Sequence, residues 1–262
     1  MKSILLLLSL FIVTAAADEK FHPKFHAFFN GMPDGPPAAE AQLLKDLGYQ
    51  GMNQVYNGEK LAERVAAFQK HDLQVLSVYL PATEKPVETR LVEPIANGGM
   101  IELTVKTITP EIITSIRQTA EMASRLKIQV ALYPHHGNAV ATMPEALDLI
   151  EKVNHPNLGV MFNLCHYLKN EKAADLEALL EKARPHLFSV STCGADLDGK
   201  DWGALIQTLD KGTFPQKRLL AALKKMGYQG PVTLQCYALK GDRRTNLKTS
   251  MTAWNQLLKN LP

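Results

Sequence analysis

The sequence predicts a (β/α)8 TIM barrel, and three observations carry that expectation. A short apolar run, a turn and a helical pattern recur eight times in ~245 residues, the size such a barrel needs. The runs are evenly spaced, and no segment reads as a linker that would divide the chain. No glycine-rich dinucleotide fingerprint follows the first run: Asn30-Gly31-Met32-Pro33-Asp34-Gly35 has the wrong spacing. A doubly wound open sheet explains seven of the eight units nearly as well and is the competing fold.

The predicted strands occupy 25–30, 51–56, 73–80, 100–106, 128–133, 158–163, 187–192 and 232–237. Between them, helix starts are marked chemically. Thr109-Pro110-Glu111 offers an N-cap and a proline at the first helical position, with Ile112, Ile113, Ile116, Ala120 and Ala123 on one face. Thr142-Met143-Pro144-Glu145 reads as a capping box. Leu247, Met251, Trp254 and Leu258 form the stripe by which a closing helix packs on the barrel.

Residues 1–17 precede this pattern. Lys2 is the only charged side chain before an apolar run from 4 to 13, interrupted only by Ser9, and Thr14-Ala15-Ala16-Ala17 follows. That is the pattern of a secretory signal peptide cut before Asp18, and a ten-residue stretch is too short to cross a bilayer. The expected product is exported, periplasmic or extracellular, with no membrane span and one barrel domain over 18–262. The leader takes one lysine and no acid from 29 basic and 26 acidic residues, leaving a formal +2. That balance calls for no polyanionic partner. Three cysteines cannot make a disulfide scaffold.

Barrel chemistry belongs at the C-terminal ends of the strands. Strand five runs into Tyr133-Pro134-His135-His136, and because adjacent side chains diverge, one of the two histidines faces the axis. Strand six ends in Asn163 with His166 three residues on. An interior Asn needs its amide paired, which a substrate hydroxyl can do. Strand seven, with Ser191, is rich in small polar groups, and strand eight buries Gln235, whose amide likewise requires a partner. Strand three offers Tyr79. On strand four Glu102 and Lys106 share a face; Lys106, nearer the mouth, is the candidate and Glu102 an interior group. Cys165, Cys193 and Cys236 also fall at strand ends, and read as buried hydrophobes, one disulfide, or a soft-metal site with His166.

Leu132-Tyr133-Pro134-His135, Gly159-Val160-Met161-Phe162-Asn163-Leu164-Cys165-His166 and Gly227-Tyr228-Gln229-Gly230-Pro231-Val232 with Gln235 resemble the xylose isomerase-like TIM barrel superfamily. The resemblance spans about Lys24 to Leu258. It implies sugar isomerase or epimerase chemistry, or nuclease chemistry in one branch. It also implies a divalent metal held by Glu, Asp, His and Glu at the ends of strands five to eight. Those positions fall on Tyr133, Asn163, Ser191 and Gln235, while the neighbouring histidines are kept as His135 and His166. Amides and hydroxyls do not offset a hard ion's lost hydration, so no tightly bound metal or other cofactor is expected and nucleic acid is not an expected partner.

The expected ligand is a small neutral carbohydrate. One reading is an enzyme that isomerises, epimerises, eliminates or hydrates by proton transfer next to a carbonyl. It would use His135, His166 and Lys106 for catalysis, with Tyr133, Asn163, Ser191, Gln235 and His136 holding the substrate. The other is a non-catalytic sugar-binding barrel.

Overall fold

The computed structural model describes residues 21–261, so the leader expected at 1–17 lies outside the described residues. Eight parallel staves form the barrel: β1 (Phe25–Phe28), β2 (Gly51–Asn53, continuing as Val55–Tyr56), β3 (Gln74–Val75, continuing as Ser77–Pro81), β4 (Met100–Thr104), β5 (Gln129–Leu132), β6 (Leu158–Asn163), β7 (Leu187–Thr192) and β8 (Val232–Leu234). β2 pairs with β1 on one side and, through both of its halves, with β3 on the other. β8 pairs with β7 and β1, which closes the circuit. Each predicted run contains a stave. Several stop short of the expected C-terminal end: β1 at Phe28, β4 at Thr104 and β8 at Leu234, where the chain leaves the ladder to form the mouth.

Helices α1 (Pro37–Leu47), α2 (Leu61–Gln69), α3 (Pro110–Arg125), α4 (Met143–Val153), α5 (Leu164–Asn170), α6 (Leu176–Ala183), α7 (Trp202–Leu205), α8 (Gln216–Lys225) and α9 (Arg243–Lys259) surround it. Thr109 caps α3 through the Ile112 N–H at 3.3 Å. Thr142 and Glu145 close the capping box of α4 reciprocally, at 3.4 and 2.9 Å. The α9 stripe is buried, with Trp254 stacked on Phe25 at 4.1 Å and 7°.

Alternation along each stave divides two environments. One face (Met52, Val78, Ile101, Leu103, Val130, Phe162, Val190, Val232 and Leu234) joins the helices in one continuous apolar core. The other face points inward and is largely polar: His26, Asn53, Ser77, Glu102, Asn163, Ser189, Ser191, Thr233 and Gln235, all buried. Asn163, Ser191, Thr233 and His26 lie in direct register across four neighbouring staves. His26 is wholly inaccessible and neither ring nitrogen has a well-aligned hydrogen-bond partner. Burial, then the charge of Lys24, lowers its pKa to about 3, with the Lys24 backbone pulling the other way.

Two irregularities shape the mouth. Gln54 adopts a left-handed backbone (φ 56°) that interrupts β2 and swings its side chain over the barrel top. Helix α5 starts at Leu164 directly after β6, so His166 sits in its first turn, buried, rather than on a loop. The three cysteines are free and buried, which removes the disulfide reading. Cys165 donates its S–H to Asn163 Oδ1 at 3.0 Å, Cys193 to the Leu205 carbonyl at 3.3 Å and Cys236 to the Leu234 carbonyl at 3.5 Å. Among the described residues no group of three or more His, Cys, Asp or Glu could hold a metal ion, and no helix is long and apolar enough to cross a membrane.

Candidate active site

A cavity of about 500 Å³ opens at the C-terminal mouth, lined by Phe29, Asn30, Gln54, Tyr56, Tyr79, Tyr133, His135, His166, Trp202, Ile206, Gln235 and Tyr237. None of these is Asp, Glu, Lys or Arg. Rings form a continuous arc along the wall. Tyr56 meets Tyr79 at 6.1 Å, Tyr79 meets Tyr133 edge-on at 5.2 Å, Tyr133 meets His166 at 5.6 Å, and His166 meets Trp202 at 5.2 Å.

Tyr133 stands at the end of β5, and its hydroxyl is the point on which the amides converge. Asn163 Nδ2 donates to it, and so does Gln235 Nε2 at 3.4 Å. Both amide orientations are fixed from behind. Asn163 Oδ1 accepts from Cys165, and Gln235 Oε1 accepts the backbone N–H groups of Cys236 and Tyr237, each at 2.9 Å, and Asn30 Nδ2 at 3.2 Å. With both lone pairs of the phenol oxygen taken, the hydroxyl can act further only as a donor, with the Gln54 side chain as a hydrogen-bonding neighbour. Burial, then the neighbouring Cys165 thiol, holds its pKa well above 10, so it remains a phenol.

The two histidines of the wall lie 4.3 Å apart, and their partners set opposite tautomers. His135 Nδ1 lies 2.8 Å from the His136 carbonyl, which only accepts. Nδ1 therefore carries the proton and Nε2 presents a lone pair. His166 Nδ1 receives the His136 backbone N–H at 3.2 Å, so its neutral form carries the proton on Nε2. Burial lowers the pKa of both, with positive potential from the other histidines reinforcing it at His166, which falls to about 3. Both rings are neutral at physiological pH, one offering an acceptor and the other a donor.

Beneath this wall Glu102 is fully buried. Asn53 Nδ2 donates to one oxygen at 3.0 Å and Gln54 Nε2 to the other at 2.7 Å, while the Gln54 backbone N–H reaches Ser77 Oγ at 2.8 Å. Burial raises the Glu102 pKa to about 7, against the hydrogen bonds from Gln54, Ser77 and Asn53. The Gln54 side chain thus ties Glu102 to the cavity wall, where it also hydrogen-bonds the Tyr133 hydroxyl.

Five of the expected residues thus meet the cavity or its supporting cluster: Tyr133, His135, His166, Gln235 and, behind Tyr133, Asn163. Three do not. Lys106 lies two residues beyond the end of β4, is exposed, and stands outside the lining, reaching the site only as positive charge near His135. His136 diverges from His135 as neighbouring residues must. It is exposed, its Nδ1 2.5 Å from Asn170 Oδ1 and its ring against Trp202 at 5.8 Å. Ser191 is sealed inside the barrel below the cavity floor with its hydroxyl unpartnered. Glu102 is interior, as its parity on the strand predicts, while Gln54, Trp202 and Asn30 are site residues the sequence reading does not single out. A polar Gln54 within an apolar strand run is the available signal for that residue; nothing local marks Trp202.

A family model described as xylose isomerase-like TIM barrel matches residues 103–257. A probable ketose 3-epimerase from Synechocystis is 27% identical over 135 residues, which is 50% of this chain and 43% of that protein, so the match spans less than half of the relative's length. Among solved structures, 3-keto-D-glucoside 4-epimerase from E. coli superposes with TM-score 0.70 at 15% identity, covering 90% of this chain and 99% of that one. The probable 3-DHS dehydratase of Bacillus anthracis gives 0.72 at 12% identity, covering 88% and 98%. At these identities the structural likeness speaks to the fold.

Proposed function

The chain belongs to the xylose isomerase-like TIM barrel family, and from that premise we propose that it acts on an uncharged carbohydrate or its keto derivative, by moving a proton on the carbon beside a carbonyl. The observation that carries this reading is the pair of oppositely tautomeric histidines beside the Tyr133 hydroxyl. His135 Nε2 accepts the carbon-bound proton. The charge that develops on the carbonyl oxygen receives hydrogen bonds from Tyr133 O–H and His166 Nε2–H. Return of the proton to another face or carbon gives epimerisation or isomerisation; loss of a neighbouring hydroxyl, with a proton, gives elimination of water. The names of two similar proteins, a probable ketose 3-epimerase and a 3-keto-D-glucoside 4-epimerase, support this reading.

The absence of a cationic side chain from the lining suits a substrate without phosphate. The family resemblance implies a divalent metal where Tyr133, Asn163, Ser191 and Gln235 stand, and these residues do not fit one. The Asn163 and Gln235 amides turn N–H groups toward the centre, Gln235 Oε1 is engaged by backbone, and Ser191 is shut away. A hard cation requires oxygen acceptors there. The proposal is therefore metal-independent proton transfer, in a protein exported by the leader read at 1–17.

The test is proton exchange. Chelator-treated mature protein incubated with neutral keto-sugars in D2O should wash deuterium into the position beside the carbonyl, read by NMR, and His135→Gln should abolish it while retaining sugar affinity. Exchange only on adding Mg²⁺ or Mn²⁺ overturns the metal-independent mechanism. Sugar binding with no exchange on any keto-sugar reduces the barrel to a binding protein.

A further inference from the structure

The polar groups of the cavity do not cover its whole surface. Of its lining, Tyr133, His166, Gln54 and Gln235 are buried and form the inner end, whereas Tyr56 and Tyr237 are exposed at the mouth. Tyr56 and Tyr237, which both line the cavity, are 56% and 57% exposed. Four large hydrophobic side chains are exposed among the described residues, and these two are the most exposed, the others, Ile108 and Leu197, being 38% and 37%. Two of those four stand on the rim of one cavity. Their backbones are fixed, Tyr56 by pairing with Tyr79 of β3 and Tyr237 by its N–H on Gln235 Oε1, while their rings remain exposed at the mouth. A volume of about 500 Å³ is also in the range that encloses a drug-sized molecule and exceeds a single sugar ring.

Resting on the reading of the inner end as the reacting site, we propose that the substrate is a glycoside whose reacting ring already carries the ketone that the proton transfer requires. Its reacting sugar ring occupies the polar inner end, and a second flat-faced ring, joined through the glycosidic oxygen, lies at the mouth against Tyr56 and Tyr237. The C–H face of a sugar or the face of an aromatic aglycone presents the same apolar plane to a tyrosine, and an uncharged rim suits both. A free open-chain ketose would leave these rings bare.

Binding calorimetry on the purified protein tests this with three probes: methyl β-D-glucoside, cellobiose and phenyl β-D-glucoside. The two-ring ligands should bind roughly tenfold more tightly than the methyl glycoside, the scale of one or two ring stackings. That ratio should fall toward one in Tyr56→Ala and in Tyr237→Ala, and persist in Tyr56→Phe, because stacking uses the ring and not the hydroxyl. Preference between cellobiose and phenyl glucoside identifies the second ring as sugar or arene. Equal affinity of all three ligands overturns the glycoside proposal and leaves the proton-transfer reading intact. If none of the glycosides binds while a free keto-sugar undergoes exchange, the glycoside proposal alone falls; if neither occurs, both fall.

Discussion

Substituting His26 with leucine should flatten the acid limb of the stability curve. The imidazole lies wholly inside the barrel without a well-aligned partner, and its pKa is lowered from 6.5 to about 3. The unfolded chain therefore binds a proton at His26 as pH falls through 6.5, while the folded chain does not until about 3. Its full contribution is present above 6.5 and is lost progressively below. At pH 5 the loss is 1.36 kcal/mol for each unit between 6.5 and 5, or about 2 kcal/mol. His166 acts in the same sense. Glu102, raised to about 7, acts oppositely: the folded state holds the extra proton, so its part of the stability declines as pH rises from 4.5 to 7. Comparing two proteins cancels both. Urea unfolding of the natural chain and of His26→Leu at pH 8 and pH 5 should show the variant losing about 2 kcal/mol less over that interval. Equal losses would refute the reasoning and mean that His26 keeps an ordinary pKa, through a buried water or an acceptor that stabilises its charged form.

Other expectations follow from the same geometry. Tyr133→Phe leaves the Asn163 and Gln235 N–H groups without their acceptor and removes a donor to the developing oxyanion; kcat should fall about 10²–10³-fold, with a stability loss of about 1–3 kcal/mol in urea unfolding. Glu40→Ala strands Arg64, whose pair is 4% exposed on each side and whose guanidinium lies 4.5 Å over Phe29 of the cavity wall. Destabilisation of about 3–5 kcal/mol is expected from thermal or urea unfolding. Expressed with its leader in a secreting host, the mature protein should begin at Asp18 by intact mass; retention of residues 1–17 in the exported product would contradict the cleavage assignment.

The barrel was legible because its staves are buried on both sides, so even their inward positions sit among Val, Ile and Leu, and because α3 and α4 carry their caps in the sequence. Stave ends were less so: local apolarity continues past Phe28, Thr104 and Leu234, and only the closing geometry decides where the ladder stops. This is why Lys106, assigned to a strand, lies beyond one, and Glu102, assigned to the interior, supports Gln54 at the cavity. Parity told that one of His135 and His136 faces inward, but not which. Trp202 enters the wall from α7, a four-residue helix whose placement depends on long-range packing against α5 that no local pattern encodes.

The sequence contains two tryptophans, and the fold has given them separate posts. Trp202 stands half-buried in the cavity wall against His166, whereas Trp254 is 2% exposed and stacked face to face on Phe25 beneath α9. The protein thus carries two native fluorophores with different audiences. A ligand entering the cavity changes the emission of Trp202 and leaves Trp254 dark to it, while unfolding exposes both. With Trp254→Phe the remaining signal becomes a direct, label-free titration of the site, and with Trp202→Phe it becomes a report on the integrity of the barrel alone.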